Sequence, residues 1–264
     1  MNIYIMADAE GISGIFDREQ VLPTGSRYNE CRALMTRDIN TCVDAAKEAG
    51  AERIYVRDAH GGGHNVIWEL LSPKADYYIS GTSSSFGTRI PGLEECDALI
   101  LLGYHAMAGT PNAILEHTMS STSVQNLWLN GVKAGEIAFD AAVAGDYGKP
   151  VIMVSGDDKA CQEARALLPW VVTAEVKKAL ACCHAMLLPQ EKAAAILREK
   201  TKEAIKNFPK AKPYILEKPV RLKIEAVERV QLPYSGKPYI KIIDGRTFEL
   251  EGSTTDEVFS RWTG

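Results

Sequence analysis

Long apolar runs are missing from this sequence. No stretch approaches the roughly 18 consecutive apolar residues of a membrane-spanning helix, so no transmembrane segment is expected. A basic excess is missing too. Thirty Lys and Arg stand against 34 Asp and Glu, a net charge of −4, which argues against nucleic-acid binding through a positive footprint. The six cysteines (Cys31, Cys42, Cys96, Cys161, Cys182 and Cys183) form no CxxC pair. They read as small buried hydrophobes of a reducing compartment, which predicts a cytoplasmic protein without a disulfide framework. GxGxxG spacing and a Walker lysine are absent, so Gly61-Gly62-Gly63 is a weak match to a phosphate loop, and a nucleotide-binding reading is disfavoured. Gly11-Ile12-Ser13-Gly14 is not GxSxG, and Ser155-Gly156-Asp157 lacks the nucleophile elbow, so a serine triad is not expected. The start, Met1 to Asp8, lacks the basic segment and cleavage site of a signal peptide and reads as a strand.

What is present is ordinary globular material. The 264 residues are 46% hydrophobic and 24% charged, enough for one large domain or two modest ones. Strand-like and helix-like stretches alternate over the first two thirds. Ile3–Met6, Arg53–Val56, Tyr77–Ile79, Ala98–Leu102 and Val151–Val154 read as strands, the continuous apolar runs as strands buried on both faces. Residues 28–49, 136–144 and 158 toward 168 read as helices, the first closed by Gly50. Leu127–Leu129 and Val132–Ala134 flank Asn130-Gly131, the strongest short hairpin signal. This alternation predicts an α/β fold with a mainly parallel, doubly wound sheet and an inserted hairpin. A Lys/Glu-rich helix follows over 189–207, then strands over 220–227 and 239–243. The expected division is an α/β domain over 1–185 and a smaller α+β part over 186–264. The stretch around His184 reads as helical, and His184 is given no role.

In an open α/β sheet, ligands bind beyond the carboxyl ends of the strands. Three predicted strands release acid or imidazole there: Asp8-Ala9-Glu10-Gly11, Asp58-Ala59-His60 and Gly103-Tyr104-His105. Asp8 and Glu10, two apart, point to one side of an extended backbone. Two such carboxylates repel unless a cation or proton sits between them. Read singly, one caps the next turn and the other is solvated. Read with His60 and His105, they make a carboxylate–imidazole set suited to Zn²⁺ or Mn²⁺. His105 taken alone is a satisfied core histidine. His64 reads as an exposed loop residue, and His117 as either an acid–base group or an idle loop histidine. Glu136 reads as an acid favoured in a first helical turn. Glu116, Asp140, Asp157 and Asp158 read as structural, Asp158 as a helix cap.

At these residues the chain resembles the M55 family of metallopeptidases, the D-aminopeptidases of the DppA type. Met6-Ala7-Asp8-Ala9-Glu10-Gly11 is similar to the family's S-x-D-x-E-G signature, with Met6 in place of its serine. Asp58-Ala59-His60, Leu102-Gly103-Tyr104-His105-Ala106, Glu116-His117-Thr118-Met119, Asn130 to Glu136 and Gly156-Asp157-Asp158 follow in family order over roughly residues 1–190. The resemblance implies a site for two Zn²⁺ ions per subunit, held by Asp8, Glu10, His60, His105 and Glu136, with Asp8 bridging. It implies a catalytic role for His117 and removal of an N-terminal D-residue from small peptides by a metal-activated water. Asp58 is expected to orient His60. The resemblance also implies a homo-oligomer, a decamer of two pentameric rings. A dinuclear amidohydrolase acting on L-peptides or other amides, and a non-catalytic metal-binding protein on the same scaffold, are the alternatives.

Overall fold

A computed structural model describes residues 1–82, 88–229, 232–233 and 236–263. Seven strands form the main sheet: β1 (Ile3–Ala7), β2 (Ile54–Asp58), β3 (Tyr77–Ile79), β4 (Ala98–Tyr104), β7 (Val151–Asp157), β8 (Val172–Ala181) and β9 (His184–Leu187). Their spatial order is β3-β2-β1-β4-β7-β8-β9, all parallel except β9. The order reverses between β1 and β4, and such a switch point opens a crevice at the carboxyl ends of the strands.

Side-chain alternation along β1 explains the layers. Ile3, Ile5 and Ala7 enter one core, with α1 (Arg18–Val21), α2 (Tyr28–Glu48) and α5 (Gln190–Asn207). On α2, Met35, Ile39, Cys42, Val43 and Ala46 recur at three- and four-residue steps and form its buried stripe. Tyr4 and Met6 enter the opposite core, with α3 (Glu136–Asp146) and α4 (Asp158–Leu167). That second core also packs against a five-stranded antiparallel sheet in the order β11-β12-β10-β5-β6. Its strands are β5 (Val124–Leu129), β6 (Val132–Lys133), β10 (Val220–Ala226), β11 (Ile240–Ile242) and β12 (Thr247–Gly252), and α6 (Thr255–Thr263) closes the chain against α3. Because α3 lies between the main sheet and this layer, Glu136 through Gly145 are all buried.

The fold is the expected mainly parallel α/β arrangement with its hairpin. Asn130 and Gly131 adopt φ of 47° and 84°, as a type I′ turn between β5 and β6 requires. The second sheet joins β5 and β6 to strands from beyond residue 186, and α5 packs on α2. Chain order around 185 therefore does not follow the layers. The helical reading near His184 is corrected: residues 172–187 form the β8–β9 hairpin, with Cys182 and Cys183 at its tip. Ala, Glu and Lys are good helix formers, but Val172, Ala174 and Val176 alternate into the core and tertiary burial decides. Asp157, not Asp158, caps α4 by accepting from the Ala160 N–H at 2.8 Å. The cysteines are all free; four are buried, and Cys182 and Cys183 are exposed. Among the described residues no helix is long and apolar enough to cross a membrane.

Candidate metal centre

Asp8 leaves β1 at the switch point, its N–H bonded to the Leu102 carbonyl of β4. The chain then crosses the end of β4, where the Gly11 N–H donates to the Gly103 carbonyl at 2.7 Å. Glycine is required at both positions. A Cβ on Gly11 would overlap the Tyr104 carbonyl, and one on Gly103 would overlap the Asp8 carbonyl. Gly103 also sits at φ 73°. The crossing brings Glu10 back over the sheet beside Asp8; they are 4% and 6% exposed.

Three histidines face these carboxylates, each with one ring nitrogen committed to the backbone. His60 Nε2–H donates to the Val21 carbonyl at 2.9 Å, leaving Nδ1 3.1 Å from Asp8 Oδ1 and 3.2 Å from Glu10 Oε2. His105 Nδ1–H donates to the Ala106 carbonyl at 3.0 Å, leaving Nε2 3.4 Å from Asp8 Oδ2 and 3.2 Å from Glu136 Oε1. His117 Nδ1–H donates to the Leu115 carbonyl at 2.9 Å, leaving Nε2 3.5 Å from Glu136 Oε1. The His105 and His117 rings stack at 4.0 Å. Asp58 does not touch the His60 ring. Its carboxylate accepts from the Asn65 N–H and side-chain amide, so Val21 fills the orienting role expected of Asp58.

The free atoms sort into two clusters: Asp8, Glu10 and His60, and His105, His117 and Glu136. Asp8 joins them, one oxygen toward each. Asp8 Oδ2, Glu10 Oε2 and His105 Nε2 are buried without a hydrogen-bond partner, although Asp8 Oδ2 lies 3.4 Å from His105 Nε2 and Glu10 Oε2 lies 3.2 Å from His60 Nδ1. Buried polar atoms are normally satisfied. Carboxylate oxygens and imidazole nitrogens converging at these unsatisfied atoms suit a divalent cation such as zinc, and imidazoles fixed through their far nitrogen are the usual form of zinc-ligating histidine.

Electrostatics agree with that donor set. Burial pushes the His60 imidazole down, but Glu10 and Asp8 more than offset this, leaving it well above its ordinary 6.5. His105 is raised in the same way, burial being outweighed by Glu136 and Asp8. Burial pushes Glu136 up, yet His105 and His117 bring it down to about 2. Glu10 is lowered too, burial being overcome by His60. In the metal-free chain, protons therefore hold the cluster together. Stability from the raised histidines is fully present below pH 6.5 and is lost as pH rises through their folded values. Stability from Glu136 is present above pH 4.5 and is lost as pH falls toward about 2. Both describe one His105–Glu136 pair from its two ends.

Several supporting residues were invisible in the sequence. Arg89 lies 3.8 Å from Glu136 Oε2 and is gripped by Asp140 through two bonds of 2.8 and 3.1 Å. Tyr104 donates its hydroxyl to the same Asp140. From α6, Asp256 accepts from Thr88 Oγ1 and the Arg89 N–H. Lys177 on β8 is buried and bonds the loop after β1; burial pulls its ammonium down to about 8. Asp140 and Asp157 were legible only as structural acids, and Arg89 and Lys177 carry no local signal. His64 is exposed and outside both clusters. His184 lies on β9, also outside them. Glu116 accepts from the Gly109 N–H at 2.5 Å and lines the rim. The centre opens into a cavity of about 480 Å³, lined also by Arg18, Leu22, Pro23 and Met119.

Comparison with known proteins gives this geometry a family. A D-aminopeptidase of Bacillus subtilis (strain 168) is 38% identical over 215 residues, covering 81% of this chain and 77% of that protein. A solved structure, the Zn-dependent D-aminopeptidase DppA from Bacillus subtilis, described as a self-compartmentalizing protease, superposes with a TM-score of 0.92. It is 34% identical, and the match covers 98% of this chain and 94% of that one. The family model Peptidase M55, described as D-aminopeptidase, matches residues 1–263, and the chain belongs to that family.

Proposed function

We propose that this chain is a zinc-dependent aminopeptidase that removes an N-terminal D-residue from short peptides or aminoacyl amides. The observation that carries the reading is the set of three imidazoles, each anchored to a backbone carbonyl and each turning its other ring nitrogen toward buried carboxylates. Asp8, Glu10 and His60 would hold one zinc, and Asp8, His105 and Glu136 a second. Zinc bound there supplies Lewis acidity toward the scissile carbonyl and a water of lowered pKa. The chain's own groups do the rest. The acidic cluster faces the peptide's free amino group, which selects the N-terminal residue. His117, its tautomer set by the Leu115 carbonyl, holds Nε2 free to take a proton and return it to the leaving nitrogen. The cavity of about 480 Å³ fits a short peptide.

The self-compartmentalizing character of the solved relative supports a closed homo-oligomer, which we propose is a decamer of two pentameric rings. The four buried, unpaired cysteines are compatible with a cytoplasmic setting.

Matched D- and L-alanyl p-nitroanilides, assayed with the zinc-loaded protein, test the activity. Faster release from the D-substrate is expected. Equal or preferential release from the L-substrate would move the chain to the L-specific amidohydrolase reading, and no release from any amide to a metal-binding protein. Metal binding itself has a proton signature. With His60 and His105 both raised, zinc must displace protons at pH 7. Zinc affinity is therefore expected to rise with pH, with up to about two protons released per chain. Calorimetry in buffers of different ionisation enthalpy measures this, and buffer-independent heats would contradict it.

A further inference from the structure

We infer that Lys177 is a positioning residue for the metal-binding loop: its buried ammonium gathers the backbone carbonyls of Glu10, Ile12 and Ile15 and so aims the Glu10 carboxylate at His60 and Asp8. The inference rests on the zinc reading above. Lys177 is 1% exposed, and Nζ donates to Glu10 O at 2.5 Å, Ile12 O at 2.9 Å and Ile15 O at 2.6 Å. An ammonium has three N–H donors, and three carbonyls satisfy all of them. Among the described residues no carboxylate forms an ion pair with it. Asp157, Asp38 and Glu10 act on it only at longer range. A buried charge satisfied wholly by main-chain carbonyls of one loop is costly to desolvate. It makes the shape of that loop depend on one side chain from the far side of the sheet.

The reason this matters is how Glu10 is held. Asp8 is fixed by the Ala9 N–H on Oδ1. Glu10 Oε2 lies 3.2 Å from His60 Nδ1 and has no hydrogen bond among the described residues, so the path of the backbone decides whether the carboxylate meets that ring. That backbone is tied to its surroundings at several points. The Gly11 N–H is bonded to Gly103, the Ser13 N–H and hydroxyl are bonded to Asp38, and the carbonyls are bonded to Lys177. Among the described residues, Lys177 is the hydrogen-bond partner of Glu10 itself.

Lys177→Met keeps the bulk and removes the donors. Lys177→Ala opens space for propylammonium, the fragment it deletes. Zinc affinity is read by competition with a chelating indicator, independently of turnover, and hydrogen exchange is followed at residues 11–15. Lys177→Met is expected to weaken zinc at least about tenfold and to speed exchange in the loop. In Lys177→Ala, propylammonium restores affinity where tetramethylammonium does not. Wild-type zinc affinity in both variants overturns the inference. So does failure of both to fold with zinc and propylammonium present, since Lys177 would then be a requirement of the fold and not of the loop. Weakened zinc without rescue in Lys177→Ala overturns the ammonium's part in it. A wild-type chain that binds no zinc overturns the zinc reading itself and this inference with it.

Discussion

Asp8→Ala is expected to lose bound zinc and peptide hydrolysis together. Among the described residues, Asp8 is the carboxylate whose two oxygens face both clusters, Oδ1 toward His60 and Oδ2 toward His105. Its removal takes a ligand from each half at once and leaves Glu10 and Glu136 to balance the imidazoles. Losing the metal removes carbonyl polarisation and water activation. The expected fall in kcat/KM is at least about a thousandfold, about 4 kcal/mol of transition-state stabilisation. Metal analysis of the purified variant and single-turnover assays give the two numbers. Turnover kept with no metal bound would contradict the zinc reading. Zinc kept with turnover lost would make Asp8 something other than the bridge.

His117→Ala separates two roles that geometry leaves adjacent. Nε2 lies 3.5 Å from Glu136 Oε1 and the ring stacks on His105, so position alone would suit a third ligand in that cluster. The surrounding loop fixes where the ring sits. Leu115 and Met119, on either side of His117, are held at φ of 47° and 63°. Such strained non-glycine backbone is kept only where the surroundings impose it. The Cys182 carbonyl accepts from the Leu115 N–H, and Glu136 Oε1 accepts from the Met119 N–H. The loop therefore places the ring while leaving Nε2 free. As a general acid–base group, His117 should contribute about 10²–10⁴-fold to kcat. The variant should show that loss at unchanged zinc content and nearly unchanged KM. Zinc content falling toward one per chain would instead make His117 a ligand.

The site was more legible than the layers. Asp8, Glu10, His60 and His105 lie within a few residues of apolar strands, so their meeting follows from parallel strands sharing one end. Glu136 and His117 were different. Taken alone, they read as a first-turn acid and an idle loop histidine, and only motif order singled them out. Val21, Arg89 and Lys177 left no trace because each acts through a backbone carbonyl or a remote carboxylate. Lys177 was hidden further by its own surroundings, Ala-Glu-Val-Lys-Lys-Ala, which favour a helix by propensity until burial of alternate residues makes a strand. The second sheet was only partly visible. Its hairpin, β10 and β11 carried signals, but β12 and α6 did not, and nothing local tells β5 to pair with β10, some 95 residues away along the chain.

Anomalous diffraction at the zinc edge from crystals of the zinc-loaded protein tests the central claim most directly. Two peaks per chain are predicted, one among Asp8, Glu10 and His60 and one among Asp8, His105 and Glu136. A single peak, or peaks away from these residues, would contradict the account.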